Sequence, residues 1–337
     1  MQVHQNISLK QYNSFGIDVK AKYFSDFSTL DELQELLDYK HRVSERLVLG
    51  GGSNILFTKD VDGLVLKNEI SGIEKVKEDE EFVYLRAGAG VNWHQFVLYC
   101  VEQNLGGVEN LSLIPGNVGA SPMQNIGAYG VEIKEVFEEL EAFHLNDRSH
   151  VHFTKSDCEF GYRESVFKRK FKNEFVILNV TCKLRKHPLF NTSYGAVNQE
   201  LEQMGVKELS VQAISQAVIN IRSSKLPDPK LIGNAGSFFK NPQISNSGFR
   251  NLQKEFPSIV AYPLENGDVK LAAAWLIEQC GWRGYRRGDA GCHSKQALVL
   301  VNYGTATGKE IYVLSEEILQ SVKSKFGIEL EREVNII

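Results

Sequence analysis

Apolar positions along the chain change their period several times, and each change predicts an element. Thr29 and Glu32 form a capping-box pair around Leu30, Leu33, Leu36 and Leu37, a stripe with helical spacing. Leu47-Val48-Leu49, Ile55-Leu56-Phe57 and Leu64-Val65-Leu66 are short continuous apolar runs, which predict buried strands and, with that helix, a small α/β unit. Phe82 to Ala87 reads as a strand that turns at Gly88-Ala89-Gly90. Asn92 with Gln95 then caps a helix carrying Trp93, Phe96, Val97, Cys100 and Val101 on one face. Residues 131–186 hold mainly short strand candidates such as Val176–Val180, an α+β texture. Helical spacing returns with Val211, Ile214, Ala217, Val218 and Ile221, and Pro227 and Pro229 stop it near a domain boundary. Beyond lie a helix over Leu271–Gln279, an alternating strand from Ala297 to Val301, and a last helix. That helix opens at Thr307 with Glu310 and closes at Gly327, leaving an extended tail from Ile328 to Ile337.

A chain of 337 residues is long enough for two or three domains, and 42% apolar with 24% charged residues is ordinary for a soluble protein. The net charge of −4 and the lack of a basic run argue against a nucleic-acid surface, while leaving room for a local basic pocket for a phosphorylated ligand. Cys100, Cys158, Cys182, Cys280 and Cys292 show no Cys-x-x-Cys spacing, which points to inert thiols in a reducing compartment. No leader-like N-terminus and no apolar run of spanning length is visible, so a cytoplasmic protein without a membrane partner is expected.

The segment Gly233-Asn-Ala-Gly-Ser-Phe-Phe-Lys-Asn-Pro242 concentrates candidate chemistry. Two glycines permit close backbone approach, and Ser237 is held between a flexible turn and two aromatics. Lys240 and Asn241 suit phosphate or sugar oxygens. Ser237 lacks a Gly-x-Ser-x-Gly elbow and a histidine nearby in sequence, so a proton donor fits it better than a nucleophile. Gly50-Gly51-Gly52-Ser53-Asn54 after a strand is either a phosphate cradle or a tight turn, with neither a P-loop lysine nor the Gly-x-Gly-x-x-Gly pattern. The loop 114–130 holds Gly116, Gly119, Gly127 and Gly130 with Ser121, Gln124 and Asn125. It is nearly free of charge, suited to a pyrophosphate and a flat heterocycle. Arg163 in Phe160-Gly-Tyr-Arg-Glu-Ser165 is either a surface ion-pair residue or a clamp for a carboxylate. Alternation places Glu331, Glu333 and Asn335 on one face of the tail, solvated if that strand stands alone. His150 and His152 have no third ligand at suggestive spacing and read as surface histidines rather than a metal site.

Together these segments resemble the UDP-N-acetylenolpyruvoylglucosamine reductases. The resemblance runs from Asn13-Ser-Phe-Gly16 to the tail. It rests on Gly50–Asn54, Ile114-Pro-Gly116 with Gln124–Gly130, Phe160–Arg163, Lys225-Leu-Pro-Asp-Pro229, Gly233–Pro242 and Leu330-Glu-x-Glu-Val334 in that order. It implies an α+β fold: a two-part FAD-binding region of the vanillyl-alcohol-oxidase/PCMH type and a separate α+β substrate domain. Residues 1–66, joined by 328–337, would form the first FAD-binding subdomain, 67–208 the second, and 209–327 the substrate domain. It further implies a monomer that binds FAD and takes NADPH as co-substrate before a UDP-sugar enters the same cleft. Arg163, Ser237 and Glu333 become the catalytic residues. Gly50, Gly51, Gly52, Ser53, Asn54, Ser121, Gln124, Asn125, Gly127 and Gly130 would contact the cofactor.

The resemblance also carries Tyr194, Lys225 and Asn241 to the substrate pyrophosphate, Tyr262 to a loop that closes over substrate in one subtype, and Gln296 to the substrate. The tail departs from the family pattern at Arg332, where proline is common, and Asn335, where arginine is common. No histidine stands in the Gly50–Asn54 turn, which argues for non-covalent flavin. Two other readings stay open: an alcohol or lactone oxidase with the same FAD domain, and a non-catalytic sugar-nucleotide or flavin-binding module.

Overall fold

The computed structural model describes residues 2–39 and 45–337, and its contacts gather into two compact units. The first comprises Met1–Ile7, Ala21–Gly52 and Val61–Ser224; the second comprises Ser8–Lys20, Ser53–Asp60 and Lys225–Ile337.

In the first unit, Val61–Asn68 pairs in parallel with Lys20–Phe27 on one side and Arg46–Leu49 on the other, with His4–Ser8 at the outer edge. A central parallel strand is covered on both faces, which explains the continuous run Leu64–Leu66. Thr29 caps the helix Leu30–Leu37 by accepting the Glu32 N–H, and so turns Leu33, Leu36 and Leu37 inward. These leucines share a core with Phe27, Leu64 and Leu66, and also with Phe143, Val176 and Leu178 of a second sheet. That second sheet is five-stranded and antiparallel, in the order His150–Thr154, Phe137–His144, Phe175–Arg185, Phe82–Gly88, Ile73–Glu78. A shared core makes one unit of the two segments expected as separate subdomains at 66/67.

The helix Val211–Lys225 also differs from expectation. Ile214, Ala217, Val218 and Ile221 pack on Val197 and Leu201, Gln212 donates to the Val101 carbonyl at 2.9 Å, and the Ser215 and Ser112 hydroxyls bond at 2.8 Å. These contacts hold the helix to the first unit, so the units divide after Ser224 rather than at 208/209.

The second unit carries a four-stranded sheet in the order Gly233–Ser237, Val299–Asn302, Ala290–Cys292, Arg286–Arg287, and a small sheet of Gln243–Ile244, Val269–Leu271 and Ala261–Pro263. Its longest helix, Gly308–Phe326, has the full capping box at Thr307 and Glu310 and ends on Gly327 at φ 68°. The tail strand Asn335–Ile336 pairs in parallel with Ile55–Leu56, so it joins the short segment Ser53–Asp60 rather than all of 1–66. All five cysteines are free, and burial pushes the thiols of Cys158, Cys182 and Cys292 up to about 12. His150 and His152 are half-exposed and lie beside Glu139 and Glu141. No helix among the described residues is long and apolar enough to cross a membrane.

Candidate active site

In the first unit the Gly50–Gly52 turn lies directly against the loop that begins at Ile114. A Cβ on Gly51 would stand 2.9 Å from both Asn117 Oδ1 and Gly116 Cα, closer than real side chains tolerate, so the approach requires glycine. Gly119 packs as closely on Ala89. The backbone N–H groups of Gly51 and Gly52 donate to no described residue. A glycine wall with free amide donors fits a pyrophosphate-bearing cofactor such as FAD.

Two residues expected at the cofactor use their side chains to brace this loop instead. Ser121 Oγ, buried, donates to the Val118 carbonyl at 2.6 Å. The Asn125 amide donates to Glu132 and the Gly161 carbonyl, and accepts from the Lys134 N–H. Loop geometry depends on them, while their side chains are turned to protein partners.

Three bulky residues around this loop hold left-handed backbone: Leu113 at φ 59°, Tyr129 at φ 49° and Arg163 at φ 53°. Each costs about 1–2 kcal/mol relative to an ordinary conformation, and such strain gathers where surrounding structure imposes a function. Tyr129 and Gly130 are the two turn residues of the hairpin Gly127–Ala128/Val131–Glu132, a turn that needs positive φ at both positions. Arg163 occupies the tight turn between Gly161 and Glu164, and its Nη2 donates to the Gly127 carbonyl at 2.5 Å. Gly127 is also the residue whose Cβ would meet Arg163 Nη1, at 3.0 Å.

A second guanidinium stands near Arg163. Arg222, on the helix Val211–Lys225, donates through Nε to the Leu113 carbonyl at 3.2 Å and lies near the Tyr129 phenol. Burial holds its pKa below the usual value; Tyr129 offsets part of that, and the charge of Arg163 lowers it further. No carboxylate pairs with Arg222 among the described residues. Tyr194 meets Tyr129 edge to face at 5.3 Å, so one tyrosine links Arg222 to an expected substrate contact. Arg222 was not among the residues expected from sequence. The signal for it was an arginine four residues after Val218, in register with the apolar stripe of its helix.

In the second unit, Gly233–Ser237 is a strand with a bulge rather than a flexible turn. Gly236 at φ 71° opens the bulge, the Asn234 side chain accepts the Gly236 N–H, and Ser237 emerges exposed. Phe238 and Phe239 are buried, and Phe238 packs edge to face on Phe15 of the Asn13–Gly16 segment. The tail pairs alongside. Lys240 N–H donates to the Glu331 carbonyl, Phe239 bridges Arg332, and Glu333 N–H donates to the Phe238 carbonyl at 2.8 Å. The Glu333 main chain is thereby held against Phe238, the residue that follows Ser237. The Asn54 amide reaches the Glu333 carbonyl at 3.2 Å, and the Asn335 side chain bonds the Asn54 carbonyl at 2.9 Å.

The two tail departures have structural duties of their own. Asn335 ties down Asn54, and Arg332 bonds Ser315 and Glu316 while lying over the Tyr312 ring. Lys240, read as a phosphate ligand, is buried and donates to Glu331 at 2.6 Å. Asn241 spends its side-chain oxygen on the Ala273 N–H at the start of the helix Ala273–Gln279. Gln296 steadies its own turn through the Val299 N–H. Tyr262 is 44% exposed on the small sheet, and Lys225 is exposed at the end of its helix.

Similarity to known proteins follows the same division. A family model of an FAD binding domain matches residues 22–149, and one of the C-terminal domain of UDP-N-acetylenolpyruvoylglucosamine reductase matches 228–337. The chain is therefore a flavin-dependent oxidoreductase with an FAD-binding region and an α+β C-terminal region. It is 52% identical to the UDP-N-acetylenolpyruvoylglucosamine reductase of Amoebophilus asiaticus over 100% of both chains, and 49% identical to that of Flavobacterium johnsoniae, also over 100% of both. The solved reductase (MurB) of Thermus caldophilus shares the fold with a TM-score of 0.67 at 24% identity, over 100% of this chain and 99% of that one. The chain belongs to the UDP-N-acetylenolpyruvoylglucosamine reductase family.

Proposed function

We propose that this protein, a cytoplasmic monomer, reduces the enolpyruvyl ether of UDP-N-acetylglucosamine to UDP-N-acetylmuramate with NADPH, in peptidoglycan precursor synthesis. The observation that supports the residue roles is the main-chain bond from Glu333 N–H to the Phe238 carbonyl, which pairs the tail with the segment that carries Ser237. The Gly50–Gly52 turn and the 114–130 loop would hold FAD, which, once reduced by NADPH, would supply the hydride chemistry at the methylene carbon of the substrate. Ser237 gives its hydroxyl proton to the carbon bearing the ether oxygen, which completes a two-electron, two-proton-equivalent reduction of the double bond. Arg163 binds the substrate carboxylate, where negative charge grows during the reaction, and its guanidinium is fixed in advance by Gly127. Arg222 adds a second cation to that face. Glu333 shares the stabilisation of the enolate-like state. Tyr194, Lys225 and Asn241 bind the nucleotide diphosphate, Gln296 reaches the substrate, and Tyr262 closes over the bound substrate.

Anaerobic stopped-flow tests this reading. The yellow protein should bleach with NADPH and recolour on mixing with the enolpyruvyl sugar nucleotide. Ser237→Ala should bleach at the normal rate and recolour about 10²–10⁴ times more slowly. Equal slowing of both steps removes Ser237 from the proton-donor role. Wild-type protein that bleaches but does not recolour with this substrate points instead to an oxidase of the same FAD-domain class.

A further inference from the structure

His94 is the second residue of the helix Trp93–Glu102, whose N-terminus is capped by Asn92. Its Nδ1 accepts the backbone N–H of Leu113 at 3.0 Å. Leu113 is one of the residues in left-handed backbone, and its carbonyl is the acceptor for Arg222 Nε. One strained residue is thus tied at both ends, to an imidazole through its N–H and to a guanidinium through its carbonyl. We propose that His94 is a positioning residue for Arg222. By holding Leu113 in the left-handed conformation, it aims the carbonyl that orients the guanidinium.

Three further observations fit. A ring nitrogen accepts a hydrogen bond only while it carries no proton, so the proton of the neutral imidazole sits on Nε2. Burial, and then the charge of Arg222, hold the imidazole pKa below its ordinary value and keep that acceptor in place. The Arg222 helix is docked independently by the Ser112–Ser215 and Gln212–Val101 bonds, so His94 sets the direction of one peptide rather than the packing of the helix. An ordinary structural histidine would cap or pack without depending on a neighbour in a disfavoured conformation.

The catalytic consequence rests on the function proposed above; the geometric one does not. Two near-isosteric variants separate them. In His94→Asn the side-chain oxygen falls where Nδ1 was, whereas in His94→Gln the amide reaches the place of Nε2 and leaves the Leu113 N–H without its acceptor. Hydrogen–deuterium exchange of the peptide spanning Leu113, in protein free of substrate, should be near wild type for His94→Asn and at least tenfold faster for His94→Gln. The kcat with NADPH and the enolpyruvyl nucleotide should stay within threefold of wild type for His94→Asn and fall at least tenfold for His94→Gln. Adding Leu113→Gly to His94→Gln should recover most of the loss, because glycine takes positive φ without help. Equal exchange in the two variants overturns the proposal, as does equal kcat or a failure of Leu113→Gly to rescue. If wild-type protein does not turn over this substrate, the functional reading falls while the exchange result still decides the role of His94.

Discussion

In the first unit Leu113, Tyr129 and Arg163 hold disfavoured backbone so that Arg163 and Arg222 can be placed by a few specific bonds. In the second, Ser237 and Glu333 are set by strand pairing between the 237–240 segment and the tail, with one glycine bulge and two buried phenylalanines. Pairing uses main-chain atoms that every residue has, so side chains there can be changed with little effect on the scaffold. The strained loops depend on individual side chains and on single glycines. Substitutions in the first unit should therefore disturb both geometry and chemistry, and those at Ser237 chemistry alone.

Arg163→Lys is the largest expected effect in the first unit. Lysine keeps the charge and loses the planar fork that bonds Gly127. The substrate half-reaction should slow about 10²–10³-fold while NADPH still bleaches the flavin. Retention of activity within fivefold in stopped-flow would show that charge alone suffices, and the contrast with the second unit would lose its basis. Gly51→Val ranks next. Its branched side chain meets Gly116 and Asn117 at once, so FAD affinity should fall about tenfold, roughly 1.4 kcal/mol, in a fluorescence titration. Unchanged affinity would mean that the glycine wall is not where the cofactor binds.

The elements were readable from sequence because their signals are local: caps at Thr29, Asn92 and Thr307, apolar stripes, and Gly327 as a stop. The unit boundary was not, because a core shared by Leu33 and Leu178, or a bond from Gln212 to Val101, joins residues with no pattern in common along the chain. The site was readable in part. Ser237, Arg163 and Glu333 stand in motifs, whereas Arg222, Tyr129, Leu113 and His94 are brought together by backbone conformation and by contacts between distant segments. Lys240 misled because a lysine after a glycine-rich stretch reads the same whether it meets a phosphate or Glu331.

The smallest predicted effect uses one carboxylate from each unit. Glu109 is 2% exposed, its Oε2 accepts the Gly107 N–H at 2.6 Å, and no cation among the described residues contributes to its electrostatics. Burial raises its pKa, more than the surrounding backbone N–H groups lower it. A raised folded-state value means that its contribution to stability is complete below the ordinary carboxyl range and is lost as pH rises through the folded value. Glu109→Gln keeps an acceptor for Gly107 and cannot ionise, so its melting temperature should exceed wild type by about 2 °C at pH 7.5 and match it near pH 4. Glu310 has the opposite environment. The Thr307 backbone N–H, then its hydroxyl, hold its pKa down, so its contribution is present above the ordinary range and lost as pH falls through the folded value. Glu310→Gln should lower the melting temperature at pH 7.5 and converge on wild type in acid. Opposite signs at neutral pH, both fading in acid, would show that the first unit bears an unfavourable buried charge near its strained loops while the second uses its acids as caps. The same sign for both variants would remove that distinction.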